Sequence, residues 1–153
     1  MENNKLVSIE NTRFIFETNF SGDPRRDKYG DTKRYVNVVI PEEIACELSD
    51  EGFNVKCTNP KEDSDFEKTY FIKANIKYDS KYPPRIYLVS GDNPPELLDS
   101  ESVCTLDQMY IRNVNVILSK YYKANNDKRS FYVRTMYVEQ ELDNDPFAAR
   151  YRR

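Results

Sequence analysis

Alternating apolar and polar positions predict that this chain folds mainly into β-strands. The alternation is most regular over residues 68–78, where every even-numbered position from Tyr70 to Tyr78 is apolar or aromatic. The positions between them are Phe71, Lys73, Asn75 and Lys77. A strand with this pattern buries one face and exposes the other. The sequence therefore predicts a half-buried strand whose outer face is cationic.

Segments rich in β-branched and aromatic residues predict further strands. They cover residues 12–20, 34–40, 53–57, 85–89, 111–122 and 130–139. Two short helices interrupt them. The first begins at Pro41, whose missing N–H group suits a first helical position, and ends near Gly52. The second follows Asp99 and Ser100, either of which can cap a helix with its side chain.

The order of these elements predicts one mainly-β domain over residues 1–153, with residues 1–10 and 143–153 flexible or peripheral. A long loop after the first strand, a short helix before the penultimate strand and a closing hairpin are typical of an OB-type barrel. We therefore expect a five-stranded Greek-key barrel of the OB type, with extra strands and the two short helices. In such barrels the first loop and the last hairpin flank the ligand-binding face.

Charge is distributed unevenly along the chain, and this affects what the barrel is expected to bind. The formal net charge is −3, which by itself disfavours a nucleic-acid ligand. Basic residues nevertheless concentrate in the first loop, at residues 25–34, and in the last hairpin, at residues 120–129. Acidic residues concentrate elsewhere, at residues 42–51 and 92–107. A positive ligand-binding face is therefore compatible with a negative total.

Cations and aromatic rings in the same segments predict a site for single-stranded nucleic acid. Such binding needs cations along the backbone and flat rings on which bases stack. The first loop offers the candidate phosphate contacts Arg25, Arg26, Lys28, Lys33 and Arg34. The remaining candidate cations are Lys73, Lys77 and Arg85 in the sheet, and Lys123, Lys128 and Arg129 in the hairpin. The candidate stacking residues are Tyr29, Phe71, Tyr87, Tyr121 and Tyr122.

The residues that catalysis or metal binding would need are largely missing. The chain has no histidine, which removes the commonest general base and the commonest zinc ligand. Asp63, Asp65 and Glu67 have a spacing that could suit Mg²⁺, but a solvated acidic loop is the preferred interpretation. Cys46 and Cys57 lie in apolar patterns and are expected in the core. We expect no enzyme activity, no metal and no cofactor.

Two features of the sequence predict an intracellular protein with no membrane partner. No apolar run is long enough to cross a bilayer. The first residues also lack the apolar segment of a signal peptide.

Several stretches, taken in order, resemble the single-stranded DNA-binding proteins of tailed bacteriophages. They are NFSG at 19–22, DEGFNVK at 50–56, YPPRIYL at 82–88, LD at 106–107, IRNV at 111–114, YVRTMYV at 132–138 and FAARY at 147–151. The resemblance covers nearly the whole chain from Asn11 onward. This chain departs from the family at Phe53 and near Gln108, where the family tends to carry Trp.

The resemblance implies an OB-fold domain that coats single-stranded DNA in phage replication or recombination, in the cytoplasm of the infected bacterial host. It also implies that residues 70–78 and the last hairpin are walls of the groove. Binders of this kind often act as dimers or bind cooperatively along a strand. Residues 143–147 resemble the acidic tip with which bacterial single-strand binders recruit repair enzymes, although there the chain ends and here it continues to Arg153.

One alternative function from another class stays open. OB-type barrels also bind proteins, so the fold does not decide the ligand. The acidic segments at residues 42–51 and 92–107 are what an inhibitor or adaptor of a host factor would use.

Overall fold

The structure, a computed structural model, describes residues 5–26, 33–58, 68–123 and 128–141, without the side chains of Arg26, Lys123 and Lys128. The strands within these ranges are β1 (Leu6–Thr12), β2 (Arg34–Ile40), β3 (Lys56–Cys57), β4 (Tyr70–Ile76), β5 (Arg85–Val89), β6 (Glu96–Leu98), β7 (Ile111–Lys123) and β8 (Lys128–Gln140). The helices are α1 (Glu42–Asp50) and two 3₁₀ helices, at Pro24–Arg26 and Val103–Gln108.

Five of these strands form a ring. Their hydrogen-bonded order is β1-β7-β8-β4-β2, and β4 and β8 run parallel. Isolated bridges from Phe14 to Val38 and from Asn19 to Tyr35 then join residues 13–19 to β2 and return the path to its start. If the five ring strands β1, β2, β4, β7 and β8 are numbered 1 to 5 along the chain, their order around the ring is 1-2-3-5-4-1. The predicted OB-type Greek-key barrel is confirmed.

The three additional strands extend this ring. β3 pairs with β4, while β5 pairs with β6 and, in parallel, with the second half of β8. The two halves of β8 therefore have different neighbours on one side: Phe131 and Tyr132 pair with β4, and residues 135–139 pair with β5.

The predicted alternation along β4 is confirmed by burial. Ile72, Ala74 and Ile76 belong to the core cluster, as do Val36 and Val38 of the neighbouring β2. Because paired residues of adjacent strands project to the same side of a sheet, the residues between these positions share the outside of the barrel.

The first predicted strand is wrong in its boundaries. Residues 6–12 form the strand β1, although the prediction set residues 1–10 apart as peripheral, and Ile9 is buried in the core. Residues 13–19 make isolated bridges instead of a continuous ladder. The reason is a left-handed backbone at Phe16 (φ 59°), which interrupts extended geometry. Asn11 (φ 52°) has the same conformation within β1, where the register shifts between Ile9 and Thr12.

The first predicted helix is confirmed as α1. Pro41 precedes it, and Gly52, with φ at 90°, follows its C-terminal end. Leu48 faces the core, but Cys46 is exposed, so the prediction that Cys46 is buried is wrong. Cys46 points to solvent because it lies on the opposite side of the helix from Leu48 and Ala45.

The second predicted helix is also present, in 3₁₀ form, with Val103 and Leu106 buried. Before it, the Asp99 carboxylate accepts hydrogen bonds from the N–H groups of Ser102 and Glu101 at 2.8 and 2.9 Å. These bonds lower the pKa of Asp99 below its ordinary value. None of the described helices has the length and apolarity needed to span a membrane.

Candidate nucleic-acid interface

The outward-pointing residues of β2 and β4 form the first part of a continuous surface. The pairs across this part are Tyr35 with Asn75, Asn37 with Lys73, and Val39 with Phe71. Each of these residues alternates with a core residue on its own strand, so all six lie on the outside of the barrel. The Lys73 ammonium is 4.5 Å from the centroid of the Tyr35 ring, a cation–π contact on this surface.

This surface continues from β4 onto β8 and β7. Asn75 pairs with Tyr132, and the Asn75 side-chain amide donates a hydrogen bond to the Phe131 carbonyl at 3.1 Å. Tyr132 lies opposite Ser119, and Tyr121 lies two residues further along β7. The Tyr121 and Tyr132 rings meet edge to face with centroids 5.8 Å apart. We call the combined surface of β2, β4, β8, β7 and β5 the outer face.

Strand β5 extends the outer face along the second half of β8. Arg85 pairs with Thr135, and Tyr87 pairs with Tyr137. The Tyr87 and Tyr137 rings stack with centroids 4.7 Å apart and planes inclined by 12°. A register irregularity makes Arg134 the extra residue of β8, which keeps Tyr132 and Tyr137 on the same side although five positions separate them.

Six of the predicted site residues are therefore brought onto the outer face. They are Phe71, Lys73, Lys77, Arg85, Tyr87 and Tyr121. The three cationic side chains are exposed. Phe71, in contrast, is only 8% exposed, because the Phe16 ring packs edge to face against it at 5.2 Å. Phe71 lies where it was predicted, but as a buried support.

Three further predicted residues lie on the core-facing side of their strands. Arg34 pairs with the core residue Ile76, and its guanidinium donates to the carbonyls of Phe20 and Ser100 at 3.2 and 2.8 Å. Tyr122 and Arg129 pair with each other at the end of the β7–β8 hairpin. These positions suit roles in holding the fold rather than phosphate binding.

The contact between Tyr122 and Arg129 is directed towards α1. The Arg129 guanidinium lies 4.3 Å from the Tyr122 ring centroid. A Cβ atom on Gly52 would come within 3.0 Å of the same guanidinium. Nearby, the Lys120 ammonium forms an ion pair with Glu51 at 2.9 Å. Both pairs lie on the side of the hairpin that faces the helix.

Of the remaining predicted residues, the structure describes the side chains of Arg25 and Lys33. Arg25 is exposed, and its guanidinium is paired with the Asp23 carboxylate at 2.9 Å. Lys33 is exposed just before β2. Lys28 and Tyr29 lie outside the described residues, as do Asp63, Asp65 and Glu67. The same holds for the side chains of Arg26, Lys123 and Lys128.

The base of the first loop is fixed by one carboxylate. Asp107 accepts hydrogen bonds from the N–H groups of Phe20 and Ser21 at 2.9 and 3.0 Å, and from the Thr18 hydroxyl at 3.2 Å. An open depression of about 500 Å³ lies here, lined by residues that include Asp107 and Arg25. Within the described residues, no group of histidine, cysteine or carboxylate side chains could hold a metal ion.

Sequence reasoning missed four aromatic residues of this surface. They are Phe16, Tyr35, Tyr132 and Tyr137. A signal for Tyr35 was available, because it alternates with the apolar residues Val36 and Val38. For Phe16 no periodic signal existed, because its backbone conformation belongs to neither a strand nor a helix.

Comparison with known proteins bears on the identity of the chain. The model of the phage ssDNA-binding domain family matches residues 2–152. The single-stranded DNA-binding protein from bacteriophage Enc34 is 11% identical with a TM-score of 0.48, over 97% of this chain and 90% of that one. Gp2.5, a single-stranded DNA-binding protein encoded by bacteriophage T7, is 13% identical with a TM-score of 0.42, over 94% and 97%.

No curated protein matches the chain. The family match nevertheless extends over all the ring strands and the whole outer face. The chain therefore belongs to the phage family of ssDNA-binding domains.

Proposed function

We propose that this chain binds single-stranded DNA across its outer face and coats the strand during phage replication or recombination, without catalysing a reaction. Family membership supports single-stranded DNA as the ligand. One observation supports the location: the exposed cations Lys73 and Arg85 share a face with the rings of Tyr121, Tyr132 and Tyr137.

The outer face offers both kinds of contact that an unpaired strand needs. Lys73, Lys77 and Arg85 attract the phosphates, and release of their counterions makes binding salt-dependent. Tyr121 and Tyr137 present partly exposed rings to the bases. Since stacking contributes about 1–3 kcal/mol per base and tolerates any base, two or three rings give firm binding with little sequence preference.

The two loops of the barrel extend this contact. Exposed Arg25 and Lys33 bind phosphates at the first loop, together with Arg26 and Lys28, and Tyr29 stacks on a base there. Lys123 and Lys128 do so at the hairpin. Arg34, Tyr122 and Arg129 have a different role, because their contacts on the core-facing side stabilise the barrel and the hairpin.

The acidic residue Glu51, directly after α1, lies on the other side of the hairpin from this ligand. The helix packs its buried residues Ala45 and Leu48 into the core cluster and places Glu51 beside Lys120 on the core-facing side of the hairpin. Negative charge on that side disfavours DNA there and directs the strand to the outer face. The protein acts in the cytoplasm of the infected bacterium, with further copies of itself and replication or recombination proteins as partners.

The decisive experiment measures the salt dependence of binding to fluorescent oligo-dT by anisotropy. Log affinity of the wild type should fall linearly with log salt concentration. Lys73→Gln should weaken binding and flatten the slope by about 0.7, the value for one lost phosphate contact on a single strand.

Lys120→Gln is the matched control, since Lys120 lies in the β7–β8 hairpin and pairs with Glu51 on the core-facing side, away from the outer face. It should leave the slope unchanged. A flattened slope in Lys120→Gln and an unaltered one in Lys73→Gln would place the ligand on the wrong side. A wild type that does not bind oligo-dT at low salt would favour the protein-binding alternative.

A further inference from the structure

Phe16 has a backbone conformation that phenylalanine normally avoids. Its φ of 59° lies in the left-handed region, where the Cβ atom of an L-residue crowds the backbone. Its side chain is 67% exposed, so core burial does not explain an aromatic residue there. Glycine or asparagine would fit this backbone with less strain. Strained residues of this kind concentrate at functional sites.

The surrounding hydrogen bonds hold Phe16 in this conformation. The Ile15 N–H group donates to the Asn37 carbonyl at 3.0 Å. The Asn37 side-chain amide in turn donates to the Glu17 carbonyl at 3.1 Å. Both neighbours of Phe16 are thus attached to one buried residue of β2, and the strained turn between them is fixed.

The Phe16 ring lies at the β2–β4 end of the outer face. It meets the ring of Phe71 with centroids 5.2 Å apart and planes inclined by 66°. Phe71 is two positions before Lys73 on the outward side of β4, and the Lys73 ammonium lies over Tyr35. An exposed ring, a buried ring that supports it and a cation are therefore neighbours on this surface.

We propose that Phe16 stacks on an unpaired base at the β2–β4 end of the outer face, an inference that rests on the proposed function. The contact with Phe71 and the fixed backbone hold the ring ready for stacking before DNA arrives. A ring held in advance loses little conformational freedom on binding, and this favours affinity. The strain at Phe16 is then explained by the ligand.

Phe16→Asn tests this proposal, because asparagine tolerates the left-handed backbone but offers no aromatic ring. The free energy of unfolding should stay equal to that of the wild type or rise. Affinity for oligo-dT should fall about 5- to 150-fold, the loss of one stacked base. The salt slope should not change, because no phosphate contact is removed. Phe16→Tyr should keep wild-type affinity.

Tyr110→Asn is the control, because this ring is 84% exposed and lies just before β7, at the opposite end of that strand from Tyr121. It should bind like the wild type. Wild-type affinity in Phe16→Asn, or a fall that Tyr110→Asn shares, would overturn the inference and leave the proposed function intact. A fall in affinity that only follows a loss of stability would overturn it as well. If the wild type itself fails to bind oligo-dT, the proposed function fails first.

Discussion

The two sides of the β7–β8 hairpin are built from similar residues but make different contacts. On the outer side, Tyr121 and Tyr132 meet edge to face beside the polar surface of β4. On the core-facing side, Tyr122 lies against Arg129, and Lys120 pairs with Glu51. Lys120, Tyr121 and Tyr122 are consecutive in sequence, yet only the middle one faces the proposed ligand.

This difference follows from the pleat of a strand, which sends successive side chains to opposite sides. A run of lysines and tyrosines in the sequence therefore shows which side chains are present, but not which of them share a face of the sheet. The core-facing side also continues into the packing of the barrel, where Phe131 stacks on Phe53 with centroids 4.6 Å apart. The hairpin is held in place because its core-facing side contacts Glu51 and the core residue Phe53.

The largest expected effect is on stability, and it distinguishes two neighbouring residues of β8. Phe131→Ala removes a ring that is 3% exposed and leaves a cavity beside Phe53, so we expect a loss of about 3–5 kcal/mol in the free energy of unfolding. Tyr132→Ala removes a half-buried ring from the outer side and should cost clearly less. Urea unfolding followed by circular dichroism measures both.

The same pair separates stability from binding. At a temperature where both variants are folded, Tyr132→Ala should bind oligo-dT less tightly than Phe131→Ala. Equal losses of stability in the two variants would contradict the distinction between the sides of the hairpin.

The next largest expected effect is on affinity for oligo-dT alone. It distinguishes two adjacent tyrosines. Tyr121→Ala should weaken oligo-dT binding by about 1–3 kcal/mol, the value of one stacked base. Tyr122→Ala should leave affinity unchanged, because its ring contacts Arg129 on the core-facing side of the hairpin. Their exposures are similar, 46% and 50%, so accessibility alone would predict equal effects. An anisotropy titration in which Tyr122→Ala is the weaker binder would reverse our assignment.

Part of the fold could be predicted from the sequence, because in those segments the tertiary packing agrees with the local pattern of apolar and polar residues. Residues 34–40 and 85–89 became strands with the predicted boundaries. Two parts could not be found in this way. β6 (Glu96–Leu98) has three residues and depends on its pairing with β5. Residues 13–19 look like a strand in composition, but composition cannot reveal the left-handed turn at Phe16 that interrupts it.

The candidate site was predictable only as far as strand alternation could be applied. It placed Lys73 on the outer side of β4, and the same reasoning applied to β2 would have found Tyr35. Alternation also assigns Arg34 and Arg129 to the core-facing side, but it could not reveal their contacts, because these depend on partners far away in sequence. Arg34 reaches the carbonyl of Ser100, and Arg129 packs beside Gly52. Basic residues in loops look alike until such partners are known.

The smallest expected effect is on stability at alkaline pH. It concerns one of two tyrosines that each contact a cation, on opposite sides of the barrel wall. Tyr35 lies under Lys73 on the outer face, whereas Tyr78 lies 5.2 Å from the Arg34 guanidinium on the core-facing side. Within the described residues, the buried Tyr78 hydroxyl has no hydrogen-bond partner. Burial raises the pKa of Tyr78 from 10.0 to about 12, opposed by Arg34 and assisted by Asp99.

Because the pKa of Tyr78 is higher in the folded protein, the unfolded chain loses this proton first as the pH rises. The contribution of Tyr78 to stability is therefore fully present below pH 10 and is lost as the pH rises through about 12.

Tyr78→Phe should be as stable as the wild type at pH 7, because it removes a hydroxyl that makes no bond. It should lose less stability than the wild type between pH 7 and pH 11, measured as the shift in urea midpoint. Tyr110→Phe, at an exposed position, should follow the wild type. If Tyr78→Phe loses as much stability as the other two proteins, the alkaline loss comes from elsewhere in the fold and Tyr78 is better solvated than its contacts indicate.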